Sequence, residues 1–181
     1  MIDYVGNCQD LFNWEQIIKD IEHQTPAYVG PSHKESDNIP GLNEVTDLWK
    51  KAEYVNWDQG GTVGWDMFIP GKNFDMDIPK KFCEFVGLES YTSCWISRIN
   101  QGMFAPQHWD VNDLEEEFAK QPDRIRFHCH IMPPTWGHIL IVEDQCFYNQ
   151  PLGSVYKWSS RKLWHAGTNC GLVPKYLFNI W

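Results

Sequence analysis

The spacing of apolar residues divides the chain near residue 90. In "NWEQIIKDIEH", Trp14, Ile17, Ile18 and Ile21 recur at helical spacing, and Asn13 stands where a capping side chain belongs. Val45, Leu48, Trp49 and Ala52 repeat the pattern in "GLNEVTDLWKKAEY". "IPKKFCEFVGL" predicts a third short helix, opened near Pro79 and closed by Gly87. Loops join these segments. One of them, the aromatic "NWDQGGTVGWDMF" with glycines at 60, 61 and 64, has the composition of a lid over residues 57–69. Plain turn residues are the alternative.

Beyond residue 90 the period shortens. "YTSCWISRI", "GMFAPQHWD", "RIRFHCHIM", "GHILIVE", "QCFYNQ", "SVYKWS", "KLWHAG" and "KYLFNIW" are short runs rich in β-branched and aromatic residues, separated by turn residues. About eight strands at this spacing predict a double-sheet jelly roll. The expected fold is mainly β with flanking α, the N-terminal helices packed on one sheet. The acidic "VNDLEEEFAKQPD" reads as a connection between strands. We expect a single domain over 1–181, in which 1–90 supply support and the substrate entrance and 91–181 the core.

Composition narrows the class. The 181 residues are 43% apolar, with 10 Trp, 10 Phe and 7 Tyr, too aromatic for a disordered chain. A net charge of −9 with scattered basic residues argues against nucleic acid as a partner. Six cysteines without a CxxC pair give no disulfide framework and read as small apolar residues. No basic leader with an apolar run opens the sequence, and no run of about 18 apolar residues occurs. The expectation is a soluble, intracellular, cytoplasmic protein with reduced cysteines.

Three places carry candidate chemistry. In "QHWDVND", an extended chain points His108 and Asp110 the same way. With one further histidine, His165 in "KLWHAGTN", they have the composition of a 2-His-1-carboxylate facial triad. A His108–Asp110 pair with no metal is the alternative. In "RIRFHCHI", alternation sets Arg126, His128 and His130 on one face and Phe127, Cys129 and Ile131 on the other. Turned into a roll, the polar face needs an anionic guest; turned outward, it is merely solvated. Lys175, ten residues past His165, is either a carboxylate anchor or a surface lysine.

Together "GMFAPQHWD", "RIRFHCHI" and "KLWHAGTN…PKY" resemble the 2-oxoglutarate/iron(II)-dependent oxygenases, specifically the aspartyl/asparaginyl β-hydroxylase-like branch, from about Gly102 to Trp181. The resemblance implies Fe(II) held by His108, Asp110 and His165. It implies 2-oxoglutarate as co-substrate, chelating the metal at one end and held at its distal carboxylate by Lys175, Arg126 or both, with His128 beside them. It implies consumption of O₂, release of CO₂ and succinate, and hydroxylation of an Asp, Asn or Pro side chain in a protein, in a peptide or as a free amino acid. Two departures stand out. The β-hydroxylase lacks the carboxylate ligand that Asp110 offers here, and a carboxylate favours hydroxylation over halogenation. Lys175 replaces the branch's usual arginine, which loses the bidentate fork. Arg98, Asn100 and Gln101 lie before the metal strand, either facing substrate or as plain strand-end polar residues. A cupin-like isomerase, a Zn²⁺-binding roll or a non-catalytic interaction module are the rival readings.

Overall fold

The computed structural model describes residues 1–30, 63–108, 125–159 and 163–181. Two helices form where the spacing predicts them. Helix α1 (Trp14–Glu22) starts at Asn13, whose side-chain oxygen accepts from the Gln16 N–H at 3.1 Å. Helix α2 (Asp77–Val86) stops at Gly87, which takes the left-handed conformation (φ 74°) that suits glycine. The helix expected around residues 41–54, the connection at 111–123 and the lid residues 57–62 lie outside the described residues.

Eleven strands are described: β1 (Asp3–Asn7), β2 (Tyr28–Gly30), β3 (Trp65–Phe68), β4 (Cys94–Ile99), β5 (Phe104–His108), β6 (Ile125–His130), β7 (His138–Val142), β8 (Gln145–Tyr148), β9 (Ser154–Ser159), β10 (His165–Asn169) and β11 (Lys175–Ile180). All eight expected C-terminal strands are present. They form two antiparallel sheets, β1-β9-β6-β11-β4-β3-β2 and β5-β10-β7-β8, the two layers of a jelly roll. Strands β1, β2 and β3 were not expected. Their presence corrects the reading of 1–90 as helices and loops. At Trp65–Phe68, where a lid was one reading, the chain is a paired strand. Asp66 on this strand is held by Arg98 at 2.7 Å, which explains why its polarity hid it.

Both faces of β6 and β11, at the centre of the large sheet, are buried, for different reasons. The outer face of β6 and β11 offers Phe127, Cys129, Tyr176, Phe178 and Ile180 to Trp14 and Ile21 of α1 and Phe82 and Cys83 of α2. Phe178 is the hub, 4.8 Å from the Phe82 ring and 5.7 Å from Trp14. Burying each such side chain contributes about 1.5–3 kcal/mol. Between the sheets, Leu140 and Val142 of β7 and Trp158 of β9 form a much smaller apolar core. The rest of that interior mixes Trp95, Ile99 and Leu177 with Arg126, His128, His130, Lys175 and Asn179.

Candidate functional site: an imidazole pair and a buried lysine between the sheets

The histidines of the small sheet meet through strand register. β10 pairs with β5 so that His165 stands opposite His108, and their rings lie 4.4 Å apart. A carbonyl oxygen can only accept, so each contact below fixes a tautomer. His108 Nδ1 donates to the Pro106 carbonyl at 2.6 Å, and His165 Nδ1 to that of Leu163 at 3.1 Å. Both rings therefore carry their lone pair on Nε2. Backbone carbonyls orient metal-bound imidazoles in this way. Two such nitrogens are suitable donors for a borderline divalent metal, and a carboxylate would complete the set. Asp110, the expected third ligand, lies outside the described residues. Among the described residues no three His, Cys, Asp or Glu side chains are grouped to hold an ion.

Arg126 reaches this pair from β6. Its Nη1 donates to His165 Nε2 at 2.8 Å, and its Nη2 to Asn179 Oδ1 at 2.9 Å. Trp95, Trp158 and Trp181 surround the guanidinium, 5.2, 5.5 and 6.0 Å from their ring centres. Their faces attract a cation taken out of water. Asn179 Oδ1 also accepts from His128 Nδ1 at 2.9 Å, while its Nδ2 donates to Ser97 Oγ at 3.2 Å. One amide thus orients both an arginine and a histidine. Asn179 was missed in the sequence, although alternation puts it on the Lys175 face of "KYLFNIW".

The face of β6 bearing Arg126, His128 and His130 is turned inward and buried, not solvated. Burial is the main reason that His128 is held well below the usual histidine range, with His130, Arg126 and Lys175 adding to it. A neutral His128 with its proton on Nδ1 presents a lone pair at Nε2. That Nε2, and the Nε2 of His130, are buried with no hydrogen-bond partner among the described residues. Buried polar groups left so cost about 1–3 kcal/mol each. They mark an interior shaped for a polar guest or for water.

Lys175 is 1% exposed, so it is no surface lysine. Its Nζ donates to the Ile139 carbonyl at 2.5 Å, and burial pushes its pKa down to about 7. His130, His138 and Lys175 line one cleft. Gly167 clears space beside the amine. A methyl group there would come within 3.2 Å of Ile99 and 3.9 Å of Lys175 Nζ.

Arg126 and Lys175 do not converge as a joint clamp. Phe127 pairs with Ile180, which sets Arg126 at the far end of β11 from Lys175, about 20 Å of backbone away. Arg126 attends His165, while Lys175 attends Gly167, two residues on. Arg98, Asn100 and Gln101 are accounted for without substrate: the first two contact Asp66 and the third the Leu172 carbonyl.

No protein-family model matches the chain, and no curated protein matches it significantly. Solved structures do. The viral collagen prolyl hydroxylase vCPH of Paramecium Bursaria Chlorella virus-1, in a 2OG complex, is similar at 20% identity over 65% of this chain and 76% of its own, with a TM-score of 0.47. A Pseudomonas putida prolyl-4-hydroxylase is similar at 13% identity over 93% and 98%, with a TM-score of 0.47. A Trichoplax adhaerens prolyl hydroxylase, in complex with a hypoxia inducible factor oxygen degradation domain peptide fragment, is similar at 15% identity over 78% and 75%, with a TM-score of 0.46. All three scores fall below 0.5.

Proposed function

We propose that this chain is an Fe(II)- and 2-oxoglutarate-dependent dioxygenase that hydroxylates an amino-acid side chain, Asp, Asn or Pro, in a protein, a peptide or free. One observation carries the reading. Two imidazoles with carbonyl-fixed Nδ1 protons stand in register at one end of the inter-sheet space, and a fully buried lysine stands further along it, beside a glycine. Two residues of strand separate His165 from Gly167, about 7 Å, the scale of a short dicarboxylate.

In this reading His108, His165 and Asp110 hold Fe(II). Bound there with the co-substrate, the iron supplies the activation of O₂ for C–H hydroxylation. The chain's own part is positioning. Lys175 binds the distal carboxylate, and Gly167 leaves room for the carbon chain. Arg126, fixed by Asn179 and three tryptophans, sets a cation beside the metal end; the lone pair of His165 Nε2 that accepts from it is the one Fe(II) would take, so the two would exchange. As a neutral acceptor His128 orients a hydroxyl, an N–H or a water, and it touches a carboxylate only after gaining a second proton. The buried cations favour this reading over a Zn²⁺-binding roll or an interaction module, since neither needs them.

The test supplies the purified protein with Fe(II), 2-oxoglutarate and O₂ and measures succinate, alone and with Pro-, Asp- and Asn-containing peptides. Iron-dependent succinate is expected, with one oxygen added to the accepted peptide. Absence of both succinate and Fe(II)-dependent 2-oxoglutarate binding sinks the reading.

A further inference from the structure

Cys8 and Cys129 are far apart in sequence and touch in the fold. β1 ends with Asn7 opposite Ser154, and the Cys8 N–H donates to the Gly153 carbonyl at 2.9 Å. There the chain turns through the short 3-10 helix Gln9–Leu11 toward α1. This corner lays Cys8 over the outer face of the large sheet, where Cys129 projects from β6. Their sulfurs are 3.4 Å apart, one thiol donating to the other. Both residues are buried, at 1% and 0% exposed, and both are free thiols.

We propose that Cys8 and Cys129 form a disulfide site, closed by exchange with a low-molecular-weight disulfide while β1 is open. The Cys8 thiolate attacks one sulfur of the reagent and expels one thiolate. The Cys129 thiolate then attacks the Cys8 sulfur of the mixed disulfide and expels the second. The two protons lost by the protein thiols are taken up by the two expelled thiolates, the protein thiols lose two electrons, and the reagent disulfide becomes two thiols.

The position of each partner sets when this happens. Among the described residues β1 is an edge strand paired only with β9, so it opens at lower cost than the strands inside the sheet. In the closed fold, burial and the neighbouring Cys8 keep the Cys129 thiol well above its ordinary range, so exchange is slow. Closure therefore belongs to folding, before the corner is sealed. A disulfide needs its sulfurs at about 2.05 Å, so the corner has to close by little more than 1 Å. The cross-link would tie the N-terminal corner to β6 between His128 and His130, whose rings point away to the inner face. This inference does not depend on the proposed function.

The full chain is unfolded and refolded in oxidised and reduced glutathione, or in a reducing agent alone. Remaining thiols are alkylated under denaturing conditions and the digest is mapped by mass spectrometry. A peptide linking Cys8 to Cys129 is expected after oxidative refolding, formed far more slowly when the native protein is incubated in the same mixture. The linked form should melt roughly 5–15 °C higher, because the cross-link closes a long loop. Cys8→Ser and Cys129→Ser should each remove the linked peptide. Should either variant fail to fold, the map of the parent chain decides alone. Recovery of both cysteines fully alkylated after oxidative refolding, or a link that pairs either with another cysteine, overturns the proposal.

Discussion

Replacing Lys175 by methionine should make the empty protein more stable and the co-substrate weaker, and the two effects have one cause. The amine is fully buried, and burial pushes its pKa down to about 7 from an ordinary 10.5. The unfolded chain therefore binds more protons between those values, and stability rises with pH across that window. Below pH 7 the penalty is fully present. A difference of about 3.5 units at about 1.36 kcal/mol each amounts to on the order of 5 kcal/mol. Methionine removes that penalty and takes one donor from the Ile139 carbonyl, which costs about 1 kcal/mol. The net expectation is a gain on the order of 4 kcal/mol near pH 6, shrinking toward zero by about pH 10. Binding should move the other way. Loss of a buried charge-assisted hydrogen bond costs about 1.5–3 kcal/mol, which is roughly tenfold to a hundredfold in affinity for 2-oxoglutarate. In the parent chain at pH 8 the carboxylate should draw close to one proton onto Lys175. His130, held down at about 3, and His138, also lowered by burial, stay neutral there. Among the described residues Cys146 favours the charged amine. Thermal melts from pH 6 to 10 and calorimetric titrations in two buffers of different ionisation enthalpy read all three effects. A variant that melts lower at pH 6 and binds 2-oxoglutarate as well as the parent would make Lys175 a structural hydrogen-bond donor and refute the reasoning.

His108→Ala or His165→Ala should abolish Fe(II) binding in equilibrium dialysis while leaving the far-ultraviolet circular dichroism of the roll unchanged; normal iron affinity in either ends the metal assignment. Asn179→Ala leaves Arg126 and His128 without their shared acceptor and should cost about 1–3 kcal/mol in denaturant unfolding. A variant with parental stability would show that Asn179 does not organise the pair.

Legibility in this sequence depended on what each strand buries. The eight C-terminal strands announced themselves because β-branched and aromatic residues fill both faces of most of them. The short N-terminal strands did not. β2 has three residues, and β3 carries Asp66, whose charge is matched by Arg98 from the neighbouring strand rather than by anything near it in sequence. The His108–His165 pairing rests on register between β5 and β10, which sequence spacing does not encode. The same holds for the separation of Arg126 from Lys175. Alternation set Arg126 on the face of His128 and His130 without deciding its direction, and only the ladder between β6 and β11 shows that Arg126 and Lys175 stand at opposite ends.

A polar residue on a strand buried on both sides cannot be excused by solvent, so each one implies a partner. On the inner face most partners are internal: Asn179 serves Arg126 and His128, and Ser97 serves Asn179 and the Trp95 N–H. Such groups hold their neighbours in place. The Nε2 atoms of His128 and His130 have no such partner among the described residues, and the Lys175 amine rests on a single carbonyl that its charge does not need. Apolar residues of similar size would be more stable at these positions. Their retention makes sense if a guest supplies the missing contacts. The shortfall lies on the inner face of the large sheet, at His128 and His130 of β6 and at Lys175 of β11. An anion with a polar group at each end would satisfy it, and a water-filled void would not neutralise Lys175. Stability forgone in the empty roll is thus the physical argument that the space between the sheets is a binding site.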